Sequence, residues 1–454
     1  MNSSNQTAPA SSNFRWVICG LLFFSTTVNY MDRQVISYLK PFFCAAPDMG
    51  GFGWTNSDFA NLTSAFTFFY AGMTLGAGWV IDKIGTKLGL ALSLIVWSIC
   101  GIFNAFVGGR VAAHMAIRSA FAVGEAGNFP ASIKTVAEWF PKRERALATA
   151  IFNAGSNAGA MVAALLVPWI MVHFGDQQGW KMAFVITGAI GFPWLIFWFW
   201  LYNPPGKNPR LSKAEYDHIH IDDEKAAVEP NRDQAKKVSW WKLFEYRQLW
   251  AFFVGKFMTD GIWWFYLFWL PDYLIKQFGM TKEQVMMPTF IVYGVAIVGS
   301  IYGGSIPMTL IKRGLPVYQA RMTTMFIIAV FPLFVLLTQF FGDVGRFGHL
   351  AAMLAVAMIC IGATAHQAWS ANLFTTVSDM FPKKSVASVI GIGTTAGGIG
   401  GVIVQKIAGA LTDHFKDTPQ TAYLIMFIIC ALSYLIAWAI MKALVPRHQP
   451  ITDL

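Results

Sequence analysis

The sequence predicts an all-α membrane protein with twelve transmembrane helices in two pseudo-symmetric bundles of six. Of its 454 residues, 55% are hydrophobic and 13% are charged, whereas soluble domains carry about 25% charged residues. Apolar runs of about 20 residues, enough to cross a bilayer, recur from end to end. One polar stretch, residues 204–247, divides these runs into six and six. Runs of this length favour helices over the short alternating strands of a β-barrel.

The net charge of +10 is concentrated in alternate loops. The loops "DKIGTK", "PKRER" and "IKRG" are basic, whereas "HFGDQQGW" lacks Lys and Arg. This positive-inside pattern predicts a multi-pass membrane protein with both termini in the cytoplasm. It also disfavours a nucleic-acid surface. The five cysteines have no metal-like spacing, and we expect neither a metal nor a cofactor.

The polar stretch sets the expected domain organisation. We expect an amino-terminal six-helix bundle over 1–203, a cytoplasmic central loop over 204–247 and a carboxy-terminal six-helix bundle over 248–454. Within the loop, "LSKAEYDHIHIDDEKAAVE" has a helix-forming composition.

The two halves repeat one another. "TVAEWFPK" (135–142) recurs as "TVSDMFPK" (376–383), and at the same spacing "FNAGSNAG" (152–159) lies over "GTTAGGIG" (393–400). Each copy joins the fourth span of its half to the fifth. The small residues let helix backbones approach closely, either for packing alone or for sliding. A duplicated six-span unit is typical of secondary transporters.

The loop after the second span carries a motif. "GWVIDKIGTK" resembles the Gly-x-x-x-Asp-Arg/Lys-x-Gly-x-Lys/Arg loop of the major facilitator superfamily, and the six-plus-six division of spans agrees with that fold. In the second half, "GSIPMTLIKRG" has Met308 where the acid would stand, so the second copy is degenerate. The alternative to a functional loop is a solvated turn. The resemblance implies a cytoplasmic conformational latch formed by Gly78, Asp82, Lys83, Gly85, Lys87 and Arg145.

Longer stretches narrow the resemblance. "NYMDR", "AIRSAFAVGEAGNFPA" and "AEWFPKRERALATAIFNAGSNAGA" are similar to the anion:cation symporter family, which carries organic anions with protons or sodium. "GEAGNFPASIKTVAEWFPKRERA" and "GKFMTDGIWWFYLFWLPDYL" resemble bacterial hexuronate transporters. The resemblance implies a monomeric secondary active transporter in the bilayer. It would import galacturonate and glucuronate by proton symport through alternating access.

Four charged residues lie inside spans one and four. Charges at bilayer depth cost from about 3 to more than 10 kcal/mol and persist where they face a cavity or a partner. Asp32 and Arg33 are adjacent, so their side chains point about 100° apart, and only one can face a central cavity. Arg118 and Glu125 are seven residues apart and share a helix face. The alternative to a functional cavity is a static ion-pair network between the two spans.

The family resemblance implies roles for these four residues. Arg33 would contact the carboxylate of the substrate. Asp32 and Glu125 would bind the coupling protons, and Arg118 would modulate them electrostatically. An entering anion would draw Arg33 away from its acid neighbour and so favour protonation. The sequence leaves the proton stoichiometry open.

Span seven carries Lys256 and Asp260. They are four residues apart, so they share a face and can neutralise each other. Alternatively, Lys256 supplies a second cation opposite Arg33, as a point charge where Arg supplies a planar fork. Hydroxyl-rich substrates also need polar partners. A polar residue of this kind, taken alone, more often forms an interhelical hydrogen bond than a ligand contact; the candidates are Tyr70, Asn153, Ser156, Asn157, His366, Gln367, Ser370, Asn372 and Thr394. Trp263, Trp264 and Trp269 can stack on a sugar face or only pack.

Other function classes fit poorly. An intramembrane enzyme needs a nucleophile–base or metal constellation, and the eight histidines are scattered. A carrier of apolar cations would not place Arg33 and Lys256 in its path. The alternative that remains is a proton- or sodium-coupled carrier of another organic anion, such as an aldonate, an aldarate or an aromatic acid.

Overall fold

The computed structural model describes residues 13–221, 240–447 and 451. Within these residues every regular element is helical. We call the end of the bundle that carries the basic loops the inner end, and the opposite end the outer end. The first helix among the described residues runs from the inner end to the outer end.

Six helices form the amino-terminal half. They are α1 (Phe14–Cys44), α2 (Asn56–Ile84), α3 (Thr86–Phe103), α4 (Val111–Glu125, continued by Asn128–Trp139), and α5 and α6, which share the stretch Lys142–Leu201. This stretch breaks at Gly175, whose φ of 68° and ψ of 163° are non-helical. Such values are accessible mainly to glycine. The break therefore separates α5 (142–174) from α6 (176–201).

Six helices form the carboxy-terminal half. They are α7 (Arg247–Phe278), α8 (Lys282–Lys312), α9 (Val317–Val330, continued by Phe331–Leu337 and Thr338–Phe341), α10 (Ala351–Met380), α11 (Lys383–His414) and α12 (Pro419–Leu444). A left-handed glycine, Gly279, ends α7.

These helices account for the predicted spans. Eight described segments are long and apolar enough to cross a membrane, and one of them, Leu147–Leu201, contains the break between α5 and α6. The helices α1, α4 and α7, which hold the intramembrane charges, complete the twelve. The predicted fold class is therefore confirmed.

The same local chemistry starts the second helix of each half. Thr55 and Asp58 form a capping box at the start of α2, and Thr281 and Gln284 form one at the start of α8. In a capping box, two side chains and two backbone N–H groups satisfy one another reciprocally. The internal repeat is thus visible in the helix ends as well as in the letters of the sequence.

The acidic residue of the repeated segment makes equivalent contacts in both halves. In the first copy, Glu138 of α4 accepts hydrogen bonds from the Thr86 hydroxyl at 2.8 Å and the Tyr202 hydroxyl at 2.7 Å. In the second copy, Asp379 of α10 accepts one from Arg321 Nε at 2.6 Å. Thr86 begins α3, and Arg321 lies near the start of α9. Each acid therefore ties the end of the fourth helix of its half to the start of the third.

The repeated small residues bring helix backbones together. A Cβ at Gly159 of α5 would collide with the carbonyl oxygen of Thr27 in α1, and a Cβ at Gly400 of α11 would collide with that of Phe257 in α7. Gly159 and Gly400 occupy the same position of the repeat. The predicted close approach of backbones is therefore present in both halves.

A short helix from the central region docks on α1. The sequence predicts a helix within 211–229, and the structure contains Lys213–Ile219; the rest from residue 222 lies outside the described residues. The Glu215 carboxylate accepts hydrogen bonds from the backbone N–H groups of Phe14 and Arg15, at 3.1 and 3.0 Å. It also accepts one from Arg15 Nη1 at 2.9 Å. Glu215 thereby caps the first turn of α1.

Candidate functional site

Arg33 lies at the centre of the bundle, on α1, and is 1% exposed. Its Nε donates a hydrogen bond to Glu125 Oε2 of α4 at 3.0 Å. Its Nη2 donates to the Asn29 side-chain oxygen at 3.3 Å. A buried arginine with one carboxylate partner keeps further donors for a second anion.

Aromatic rings surround this guanidinium. Its carbon lies 4.2 Å from the ring centroid of Tyr30, 4.5 Å from that of Tyr70 and 5.3 Å from that of Trp264. These separations are within the range of cation–π attraction. Trp264 belongs to α7, whereas the other rings belong to α1 and α2. Both halves of the protein therefore enclose Arg33.

Asp32 points in another direction, as its adjacency to Arg33 predicts. Its carboxylate is buried beside Thr187 of α6 and Trp97 of α3. Neither carboxylate oxygen accepts a hydrogen bond from the described residues. A buried carboxylate without a close hydrogen-bond partner is costly. Asp32 therefore has the surroundings expected of a group that binds and releases a proton.

Arg118 and Glu125 of α4 are both hydrogen-bonded to Arg33, Arg118 at its backbone and Glu125 at its side chain. Arg118 Nη2 donates to the backbone carbonyl oxygen of Arg33 at 3.1 Å. Among the described residues, Arg118 Nη1 and Glu125 Oε1 have no hydrogen-bond partner. A static ion-pair network would satisfy such buried atoms. The free atoms favour a binding site over a structural network.

The carboxy-terminal half contains a buried cation of its own, Lys256. Lys256 Nζ lies 2.6 Å from Asp260 Oδ2, one helical turn along α7, and 4.6 Å from the ring centroid of Phe374. The two residues therefore do pair in this conformation. Nearby, the His366 ring lies parallel to that of Trp263, with centroids 5.1 Å apart, and its Nδ1 lies 2.8 Å from the Tyr434 hydroxyl.

The remaining lining candidates fall into two groups. Three donate to main-chain carbonyl oxygens: Asn372 to Gly303 of α8, Thr394 to Ile390 and Ser156 to Asn153. The side-chain oxygen of Asn372 nevertheless has no hydrogen-bond partner among the described residues, and the second group likewise keeps polar atoms. Asn157 is buried and its side-chain oxygen is unpartnered among the described residues. Tyr70 packs on Arg33, Gln367 and Ser370 are half-buried on α10, and Asn153 is exposed on α5.

A sequence profile of the Major Facilitator Superfamily matches residues 22–405. The chain belongs to the Major Facilitator Superfamily. It is 30% identical to the hexuronate transporter of Escherichia coli strain K12, over 94% of both chains. It is 26% identical to the D-galactonate transporter of Escherichia coli O6:H1, over 93% of this chain and 95% of that one.

Solved structures share the superfamily's fold. A bacterial homologue of the human lysosomal transporter Spinster, in an inward-facing and occupied conformation, superposes with a TM-score of 0.72. It is 17% identical and covers 98% of this chain and 100% of its own. This likeness concerns the fold alone.

The superfamily loop lies at the inner end and makes contacts within the amino-terminal half. Asp82 Oδ1 accepts a hydrogen bond from Lys134 Nζ of α4 at 2.7 Å, a partner that the sequence analysis missed. Lys87 Nζ donates to the Asn203 side chain at 2.9 Å. Arg145 donates to the carbonyl oxygens of residues 137 and 140. Lys83 lies over the Trp79 ring, and Gly85 has a φ of 85°. A Cβ added at Gly78 would meet no described atom within 4 Å outside the adjacent backbone of its own helix.

Sequence reasoning also missed a buried charge cluster at the outer end. Lys40 Nζ of α1 lies 2.5 Å from Asp272 Oδ2 of α7, and the Lys40 side chain is 0% exposed. Lys40 also donates to the Asn56 side-chain oxygen at 2.9 Å, and the Tyr423 hydroxyl donates to Asp272 at 2.5 Å. One signal was available, because Lys40 follows Arg33 by seven residues and so shares its helix face.

Further hydrogen bonds join the two halves at this end. Asp413 of α11 accepts from the backbone N–H groups of Asn56 and Ser57, at 2.9 and 2.7 Å. The Gln405 side-chain oxygen accepts from the Thr63 hydroxyl and from Trp269 Nε1. Among the described residues, the hydrogen bonds and ion pairs between the halves lie from the level of Thr63 and Ser64 outwards. The outer end is therefore closed.

Proposed function

We propose that this member of the superfamily is a secondary active transporter that imports hexuronates, galacturonate and glucuronate, by proton symport through alternating access. The observation that carries the proposal is Arg33, a buried cation enclosed by both halves, with one carboxylate partner and aromatic walls. The 30% identity to a hexuronate transporter supports the choice of substrate.

The substrate carboxylate binds Arg33. A guanidinium offers a planar pair of donors that matches a carboxylate, and Arg33 holds this pair between Tyr70 and Trp264. The apolar face of the sugar stacks on the same rings. Lys256 approaches from the carboxy-terminal half once its pair with Asp260 opens. Hydroxyl groups are bound by side chains with free polar atoms, foremost Asn157, Gln367 and Ser370.

Proton binding follows from competition for Arg33. A substrate carboxylate that binds Arg33 displaces Glu125, which is then a buried carboxylate without its cation and takes up a proton. Asp32 is the second proton site, and Arg118 holds the backbone of Arg33 in place between the two acids. One proton with a monoanion moves no net charge. A second proton couples transport to the membrane potential, worth about 2.3 kcal/mol per 100 mV.

The remaining assignments complete this proposal. The protein acts as a monomer in the bacterial inner membrane, with both termini and the inner end in the cytoplasm. Its units are the bundles 1–203 and 248–454 and the central loop 204–247. The loop residues Gly78, Asp82, Lys83, Gly85 and Lys87, together with Arg145, form the conformational latch, and Lys134 is the partner of its acid.

Uptake of labelled galacturonate and glucuronate into proteoliposomes, with and without an inward proton gradient, tests the proposal. Arg33→Ala removes a charged hydrogen-bond partner worth about 1.5–3 kcal/mol, so uptake should fall about 10- to 100-fold. Asp32→Asn should keep equilibrium exchange and lose accumulation driven by the gradient. Arg110→Ala and Asp417→Asn alter exposed residues at the outer end and serve as charge-matched controls. Folded protein that takes up neither sugar acid contradicts the hexuronate assignment.

A second candidate is a proton- or sodium-coupled carrier of another organic anion. The similarity to a D-galactonate transporter favours it, because that relative is also matched along nearly its whole length. Uptake of aldonates, aldarates and aromatic acids under separate proton and sodium gradients distinguishes the two. Accumulation of an aldonate but of no hexuronate would select the second candidate.

A further inference from the structure

Lys40 and Arg33 form two levels on one face of α1. Seven residues are nearly two helical turns, so Lys40 lies about 10 Å outwards of Arg33 and points to the same side. Both side chains are buried. A substrate that comes from the outer side therefore reaches the level of Lys40 first.

The surroundings of Lys40 consist of rings from both halves. Lys40 Nζ lies 4.2 Å from the ring centroid of Trp269 in α7 and 5.5 Å from that of Phe59 in α2. The cation, the α2 phenylalanine and the α7 tryptophan thus form one layer across the interface between the halves. We call it the outer tier.

The surroundings of Arg33 repeat this layer further in. Its guanidinium carbon lies 5.3 Å from the ring centroid of Trp264 in α7 and 5.4 Å from that of Phe66 in α2. On α2, as on α1, the residues of the two layers are seven positions apart. The outer tier is therefore built from the same three helices and the same three kinds of side chain as the candidate substrate site.

In the closed state, a carboxylate already occupies the outer tier. Asp272 is 2% exposed and binds Lys40 and the Tyr423 hydroxyl. Lys40 belongs to the amino-terminal half, whereas Asp272 and Tyr423 belong to the carboxy-terminal half. Separation of the halves at the outer end must therefore part Lys40 from its carboxylate. A cation left without its partner in such a place attracts another anion.

We propose that Lys40 forms an outer binding site for the carboxylate of the transported anion. The anion binds Lys40 when the outer end is open and then moves two helical turns inwards to Arg33. Asp272 replaces it on Lys40 as the outer end closes, so the side chain of Asp272 is a tethered substitute for the carboxylate of the substrate. This inference rests on the proposed function, since it requires an organic anion as substrate.

Lys276 provides a matched control. Its Nζ lies 3.2 Å from Asp272 Oδ2 and 3.1 Å from the Asn56 side-chain oxygen, so it contacts the same cluster as Lys40. It lies four residues after Asp272 on α7, however, and moves with that carboxylate when the halves separate. Lys276→Gln removes a positive charge from the cluster and leaves the proposed site intact.

The experiment measures initial rates of galacturonate uptake into right-side-out membrane vesicles. Lys40→Gln should raise the external KM at least 10-fold, while Lys40→Arg and Lys276→Gln should stay within 2-fold of the unaltered protein. Asp272→Asn removes the competing carboxylate, so it should lower KM or leave it unchanged while the maximal rate falls. The double variant Lys40→Gln/Asp272→Asn buries no unpaired charge, and it should keep the raised KM.

A different pattern is expected if Lys40 and Asp272 only form an ion pair that holds the outer end closed. In that case Lys40→Gln and Asp272→Asn change KM in the same direction, and the double variant returns it towards the unaltered value. Either result overturns the inference, as does an unchanged KM in the double variant. Absence of uptake by the unaltered protein would instead contradict the proposed function. When the unaltered protein carries a different organic anion, that anion serves as the probe and the same comparison of variants applies.

Discussion

Arg33 and Glu125 show how much of the candidate site can be predicted from individual residues of the sequence. Charges in apolar runs are conspicuous, and helical spacing correctly placed Asp32 and Arg33 in different directions and Arg118 and Glu125 on one face. Spacing on one helix cannot reveal partners on another. Asp272 follows Lys40 by 232 residues in sequence. Near the end of a span, a lysine such as Lys40 also resembles one that reaches towards the membrane surface.

Glu125→Gln tests whether the Glu125 side chain couples transport to protons. The amide keeps the shape of the side chain but cannot take up a proton, and it competes less strongly for Arg33 than a carboxylate does. We expect galacturonate exchange between the two sides of proteoliposomes to persist, with equal or tighter binding, while accumulation under a proton gradient is lost. Glu138→Gln is the control, because it neutralises an acid at the inner end and should cost about 1 kcal/mol of stability without uncoupling transport. Full accumulation by Glu125→Gln would contradict a proton role for Glu125.

Among the elements, the helices were easier to predict than their irregularities. Length and hydropathy were sufficient for twelve spans, and the small residues of the repeat were sufficient to predict close approach by α5 and α11. That their partners are α1 and α7 was not predicted. The break in α4 between Glu125 and Asn128, and the non-α stretch Phe331–Leu337 in α9, were not predicted. Both places carried a local signal, because Gly127 and Pro130 lie at the break in α4 and Pro332 lies in the non-α stretch of α9. Proline removes an intrahelical hydrogen bond.

Gly159→Ala tests the contact between α5 and α1. In a helix, alanine is favoured over glycine by about 1 kcal/mol, but at position 159 its methyl group would overlap the Thr27 carbonyl oxygen. We expect thermal unfolding in detergent to show a loss of about 1–3 kcal/mol, and an equal loss for Gly400→Ala. Gly72→Ala should be neutral or stabilising, because no described atom outside the adjacent backbone of its own helix lies within 4 Å of the added carbon. Equal stability of the 159 and 72 variants would show that the close approach is not needed.

For the whole molecule, the contacts between halves define one closed end. The sequence predicted two bundles, but it could not predict which end would be closed, since both states use the same spans and the same residues. The closed outer end depends on interactions across the interface. Asp413 alone accepts three hydrogen bonds from Asn56 and Ser57.

Asp413→Ala should therefore open the outer end. Loss of these charge-assisted hydrogen bonds costs more than about 1.4 kcal/mol, which corresponds to at least a 10-fold shift in the balance between closed and open states. Ala60 is 1% exposed and packs against Gly409, so it becomes accessible only when the outer end opens. We would replace Ala60 by cysteine in a protein without its native cysteines and measure the rate of labelling by a membrane-impermeant thiol reagent. Asp417→Ala, at an exposed residue of the same end, should leave the labelling rate unchanged. Unchanged labelling in Asp413→Ala would show that these bonds do not keep the outer end closed.

The cap on α1 also bears on when this helix is completed during synthesis of the protein. Glu215, which binds the first backbone N–H groups of this helix, follows them by about 200 residues. At roughly 5–20 residues per second, the ribosome adds that length in about 10–40 s. The helix that carries both Arg33 and Lys40 thus enters the membrane long before its first turn is capped. The first turn of α1 therefore receives this cap only after the other five helices of the amino-terminal half have been synthesised.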